Sequence, residues 1–85
     1  MMIEAYVLIV VSPGSEKKIC ERISGLREVT EVNELYGEYD IIIKVQKTSL
    51  PELDTFLTEE IRSIPDVRLT STMLVSFTHK HGRET

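Results

Sequence analysis

Residues 5–11 read AYVLIVV, an apolar run without a break. Successive side chains on a strand point to opposite faces. A strand here is therefore greasy on both sides, with Val7, Ile9 and Val11 on one and Tyr6, Leu8 and Val10 on the other. The run falls well short of the roughly 18 apolar residues of a membrane span. Its length and its β-branched end favour a strand over a buried helix. Any fold for this chain must cover that strand twice. A domain of 85 residues buries only about 60–65% of the surface its unfolded chain exposes, so oligomerisation is a ready source of further burial.

The rest of the chain supplies the other elements. Ser12-Pro13-Gly14-Ser15 stops the first strand. A helix to about Leu26 follows, with Ser15 as N-cap and Glu16 in its first turn, or with Ser12 as cap and Pro13 at the first helical position. Ile19, Ile23 and Leu26 share its apolar face, Cys20 lies beside them, and Lys17, Lys18, Glu21 and Arg22 face water. Residues 29–36 form a second, more polar strand. Gly37-Glu38 turns the chain into a third strand over residues 39–46, centred on Ile41-Ile42-Ile43. Ser49 and Glu52 have capping-box spacing, and Pro51 sits in the first turn. Leu50, Leu53, Leu57, Ile61 and Ile64 then mark a second helix, with Phe56 alongside, until Pro65-Asp66 ends it. Residues 67–78 alternate as a last strand. Residues 1–78 form one domain, and residues 79–85 are expected to be a disordered polar tail.

The order βαββαβ is the ferredoxin-like, α+β pattern. Right-handed crossovers put both helices on one face of an antiparallel sheet ordered 4-1-3-2. That order makes the first and third strands central, and they are the two most apolar. The second face of the sheet has nothing in the chain to cover it. A bare apolar face on a small domain marks an interface. A sheet-to-sheet dimer, an α/β sandwich or barrel of two chains, is expected, with Tyr6, Leu8 and Val10 in the contact.

Composition narrows the function. The net charge is −4, from 10 Lys+Arg against 14 Asp+Glu. An acidic domain without a basic stripe lacks the phosphate-neutralising term of DNA binding, so no direct DNA contact is expected. The start lacks the basic segment and cleavage site of a signal peptide, and a cytoplasmic location is expected. A single cysteine excludes a disulfide framework or a multi-cysteine zinc site; beside an apolar stripe, Cys20 reads as an inert thiol. His79 and His81 could share one side of a strand but have no third ligand nearby, and no metal or cofactor is expected. Glu59-Glu60 reads as a solvated face or an oligomer rim. Glu52 and Asp54, two apart on a helix, point away from one another. No catalytic set is evident, so an enzyme is not expected.

The hairpin ELYGEYDIII, residues 34–43, carries more chemistry than a turn needs. Gly37 permits close backbone approach, and N–H groups around such a turn can hold a carboxylate. Tyr36 and Tyr39 offer flat walls with hydroxyl tips. Glu34, Glu38 and Asp40 can pair with an ammonium. Thr70 and Thr72 point to one face of the last strand, where their hydroxyls can serve either end of a zwitterion. These are the parts an α-amino acid requires. The plainer account makes Gly37 a tight turn, Asp40 its cap, the tyrosines interface core and the threonines ordinary strand residues.

Three stretches carry a family likeness: YGEYDIIIKV at residues 36–45, SLPELDTFLTEEIRSIPDV at 49–67, and RLTSTMLV at 68–75. Together, in register, they resemble the effector-binding (RAM) domain of the Lrp/AsnC transcription regulators. Pro65-Asp66-Val67 departs from that family's usual Pro-Gly-Val, and no helix-turn-helix precedes the domain in this sequence. The resemblance implies a stand-alone, non-enzymatic module that binds an amino acid. It implies dimers joined through their sheets, assembly of four dimers into an octameric ring, and clefts between dimers near the hairpin and last strand. It also implies co-assembly with a full-length regulator of amino-acid metabolism. Two rivals share the pattern: a small dimeric α+β barrel enzyme with its pocket under the helices, and an ACT-like domain paired through strand edges.

Overall fold

In the computed structural model, which describes residues 1–81, the elements follow the expected order. They are β1 (Ile3–Val11), α1 (Glu16–Ser24), β2 (Val29–Glu34), β3 (Ile41–Lys47), α2 (Leu50–Phe56), a π-helical turn (Leu57–Ile61) and β4 (Val67–Leu74). The antiparallel sheet runs β2-β3-β1-β4, the anticipated 4-1-3-2 read from the other edge. Ala5, Val7, Ile9 and Val11 of β1 and Ile41, Ile43 and Val45 of β3 form one buried cluster with Ile19, Ile23, Leu53, Phe56, Leu57, Ile61 and Ile64. One cluster containing both helices and only one face of each central strand means the helices share that face.

Several local readings need correction. The second helix does not run as a single α-helix from Leu50. After Phe56 it widens into the π-helical turn, where the Arg62 N–H donates to the Leu57 carbonyl five residues back at 2.8 Å. Ser15 does hold the N-cap position of α1, but its hydroxyl donates to the Ser12 carbonyl at 2.6 Å and caps no helical N–H. Ser49 caps α2 as its spacing requires, accepting from the Glu52 N–H at 3.3 Å; the Glu52 side chain completes no capping box and instead accepts from the Thr48 hydroxyl. β4 ends at Leu74, short of residue 78. The Val75 N–H still donates to the Glu4 carbonyl at 2.9 Å, but β1 begins at Ile3 and offers little beyond.

Two bulges set which side chains face the core. Between Val10 and Val11 the register with β4 slips by a residue, which turns Val67 inward while Leu69 stays on the open face. The other lies between Val29 and Glu31, where the Thr30 hydroxyl donates to the Lys44 carbonyl at 3.3 Å. Residues 79–81 carry no helix or strand. The rest of the expected tail, residues 82–85, lies outside the described residues. Among the described residues no helix is long and apolar enough to cross a membrane.

Candidate functional site

The hairpin is not the two-residue turn that Gly37-Glu38 alone would make. β2 stops at Glu34 and β3 starts at Ile41, leaving a six-residue loop. Asp40 explains the difference. Its N–H donates to the Ile9 carbonyl at 2.9 Å and its carbonyl accepts from the Leu35 N–H at 2.8 Å. Its Oδ2 accepts from the Val11 N–H at 2.9 Å. β3 no longer runs alongside β1 at Val11, so the carboxylate stands in for the missing ladder partner. Asp40 is thus a clip between the loop and β1. Asp40→Ala should destabilise the domain by about 2 kcal/mol, since it removes a charge-assisted bond and orphans a half-buried N–H. Asp40→Asn, which keeps an acceptor oxygen, should cost about half that. Urea unfolding of both variants checks this order.

Beyond the clip, the loop presents its chemistry outward. Tyr36 is fully exposed, Glu38 is exposed and Tyr39 is half-buried. Gly37 adopts φ +144°, a conformation L-residues rarely take, with open space where a Cβ would stand. The backbone there is free to approach a partner. Glu34 is not part of this display. It pairs with Ile41 on the helix-facing side of β2. Burial pushes the Cys20 thiol up, and the carboxylates of Glu34 and Glu16 push it further, consistent with an inert cysteine.

Thr70 and Thr72 lie opposite Ile9 and Val7, so both face the helices from the free edge of the sheet. Thr72 lines an open groove of about 340 Å³ between β4 and α2. Leu50, Leu53, Leu57 and Leu74 make its apolar walls, and Asp54 and Arg62 supply one charge of each sign. Arg62 is held in place: its Nη1 donates to Thr58 Oγ1 at 3.1 Å and its Nε to Thr70 Oγ1 at 3.4 Å. No spacing in the sequence marks Arg62 or Leu74. Asp54 shares the groove not with Glu52 but with Thr72 and Leu74 of β4 and with Leu57 and Arg62. Half-exposed leucines at Leu50 and Leu74 mark the groove, but only once the two elements are known to be neighbours.

The two halves of the expected site do not meet within one chain. The loop joins β2 to β3 and the threonines sit on the β4 edge, with β1 between. Two to three strand spacings separate them, about 10–14 Å. Asp40 and His79 lie at opposite ends of the sheet, since Asp40 adjoins Val11 and His79 follows the strand that passes Ala5 at Leu74.

The uncovered face carries Tyr6, Leu8 and Val10 from β1, Ile42 from β3, and Leu69 and Met73 from β4. Leu69 and Met73 are 57% and 53% exposed. A polar, charged cluster lies at the end nearer Glu4. There Gln46 Nε2 donates to Glu4 Oε2 at 2.7 Å, and Lys44 Nζ lies 3.8 Å from that oxygen and 5.7 Å over the Tyr6 ring.

Comparison with known proteins agrees with this architecture. The family model of the Lrp/AsnC ligand binding domain matches residues 4–85. The HTH-type transcriptional regulator FL11 of Pyrococcus horikoshii is 36% identical over 80 residues, covering 94% of this chain and 52% of FL11. The chain spans about half the length of the curated relatives it matches. Among solved structures, FFRP-DM1 has a TM-score of 0.84 at 41% identity and covers 86% of this chain and 97% of its own. The transcriptional regulator NMB0573 of Neisseria meningitidis, solved as a complex with L-Met, has a TM-score of 0.85 at 17% identity and covers 93% of this chain and 53% of its own. On these matches the chain belongs to the Lrp/AsnC ligand-binding domain family.

Proposed function

We propose that the protein is a non-enzymatic effector-binding and assembly module that senses an amino acid and modulates a transcription regulator of its own family. The observation that carries this reading is the groove between α2 and β4. It has apolar walls, a carboxylate in Asp54, and a guanidinium in Arg62 already oriented by Thr58 and Thr70. Asp54 and Arg62 are eight residues apart, about 12 Å along a helix axis. That is too far to clamp the ammonium and carboxylate of one α-amino acid. A second copy therefore completes the site, with its Tyr36-Gly37-Glu38 loop closing over the groove. In this arrangement Arg62 and Thr70 receive the carboxylate, Glu38 of the neighbouring copy takes the ammonium, and Asp54 meets the far end of the side chain.

Two copies first join through the open sheet face, and dimers then associate further, up to the octamer. Such an assembly could include full-length regulators as partners, which would bring the DNA contacts. The regulatory family favours this over catalysis. So does the core: the central-strand residues beneath the helices run Ala5, Val7, Ile9, Val11 and Ile41, Ile43, Val45, all hydrocarbon.

Titration calorimetry with each of the twenty amino acids tests the proposal. Saturable heat is expected for a subset. Arg62→Ala should weaken every binder by about tenfold or more, the worth of a charge-assisted hydrogen bond. Asp54→Ala should reorder the binders among themselves. Heats that stay flat for all twenty would defeat the reading.

A further inference from the structure

A cavity of about 290 Å³ lies between α1 and the turn that leads into β4. Lys18, Ile19 and Arg22 line it from α1, and Ile64, Pro65 and Asp66 from the turn. Ile19 and Ile64 are 1% and 4% exposed, so the floor is the outer surface of the core. The turn is held on both sides: the Val67 N–H donates to the Ile64 carbonyl at 3.0 Å, and the Ser12 N–H to the Asp66 carbonyl at 2.9 Å. The cavity is therefore pre-formed, at the lower limit of the usual ligand-site range of about 300–1,000 Å³.

Its charge runs against that of the chain. The protein carries −4 overall, while this rim holds two cations against one carboxylate. Lys18 and Arg22 stand four apart on one face of α1, where like charges repel. Asp66 offsets Lys18, 3.3 Å away. Among the described residues Arg22 has no ion-pair partner. An aliphatic floor thus stands beside an uncommitted guanidinium.

We propose that this cavity binds a small organic carboxylate with a compact hydrocarbon body and no ammonium, of the 2-oxo acid class. The Arg22 guanidinium is a planar fork that matches a carboxylate bidentately. Lys18 adds a second positive charge, and the hydrocarbon body covers Ile19, Ile64 and Pro65. An α-amino acid fits less well. Its ammonium would meet two cations and only Asp66, which is already committed to Lys18. The cavity shares no lining residue with the effector groove, so the inference does not depend on the amino-acid reading.

Methyl NMR of the full chain, labelled at isoleucine and leucine, tests this with 4-methyl-2-oxopentanoate as the probe. The Ile19 and Ile64 methyls should shift together and saturably. Leucine has the same carbon skeleton with an ammonium in place of the carbonyl, and should shift them at least about tenfold less tightly. Inorganic phosphate, an anion without a hydrocarbon body, should leave them where they are. Arg22→Gln should weaken the oxo acid about tenfold, the worth of a charge-assisted hydrogen bond. The unshifted core methyls of Ile41 and Ile43 show that this variant folds. Still methyls at Ile19 and Ile64, equal affinity for leucine, equal shifts with phosphate, or an Arg22→Gln protein that binds as before would each overturn the site. Shifts at Leu53 and Leu57 instead would put the probe in the effector groove and overturn it too. The amino-acid heats that test that groove are measured separately, so either site can fail alone.

Discussion

Leu8→Glu should leave the fold intact and take the sheet-joined dimer apart. Leu8 sits on the open face between Ile42 and Ser71 and points away from the core. In the isolated chain the new carboxylate meets water and costs the fold little. In the dimer it would be buried against the apolar face of the partner, which costs several kcal/mol without a hydrogen-bonding or ionic partner. A penalty of about 4 kcal/mol raises the dissociation constant about a thousandfold. Far-UV circular dichroism should be unchanged while the mass at high salt drops to one chain. If water covers this face in the native protein, the substitution would leave the mass as it was.

Ile43→Ala should have the largest effect on folding. Ile43 is fully buried at the centre of the sheet, opposite Val7 and Val32 and beneath the helices. Removing its branched side chain loses transfer free energy and leaves a cavity, about 2–5 kcal/mol in comparable cores. A domain of this size has a total stability of about 4–13 kcal/mol, so roughly half is at stake. Association stabilises the folded state by mass action. The unfolding midpoint of Ile43→Ala should therefore rise with protein concentration, and that rise should vanish when Leu8→Glu is added. A midpoint within a degree or two of the wild type would contradict the buried-core assignment of Ile43.

The topology was legible in the sequence because it depends on patterns within single elements. AYVLIVV reads as a central strand from its length and β-branched end, and the spacing of Leu53, Leu57, Ile61 and Ile64 reads as one face of a helix. The site was less legible because its contacts cross between elements. Asp40 could be read as a loop carboxylate or a cap, but its bond to Val11 joins residues 29 apart. Arg62 is aimed at Thr70 by a π-helical turn that nothing in the spacing announces. Thr70 and Thr72 were found from their alternation on the last strand. Their partners in the groove, Asp54 and Leu74, could not be, because the helix and strand that bring them together are packed side by side only in three dimensions. The separation of Tyr36-Gly37-Glu38 from Thr70 across the sheet was also invisible before the strand order was fixed in space. It is this separation that makes a second copy part of the proposed site.

Sedimentation equilibrium of the unmodified protein, at micromolar concentration and high salt, tests the core of this account most directly. Under these conditions exposed charges are screened and the apolar face formed by Tyr6, Leu8, Val10, Ile42, Leu69 and Met73 holds two copies together. The account predicts twice the mass of one chain. A single-chain mass, with that face open to solvent, would contradict it.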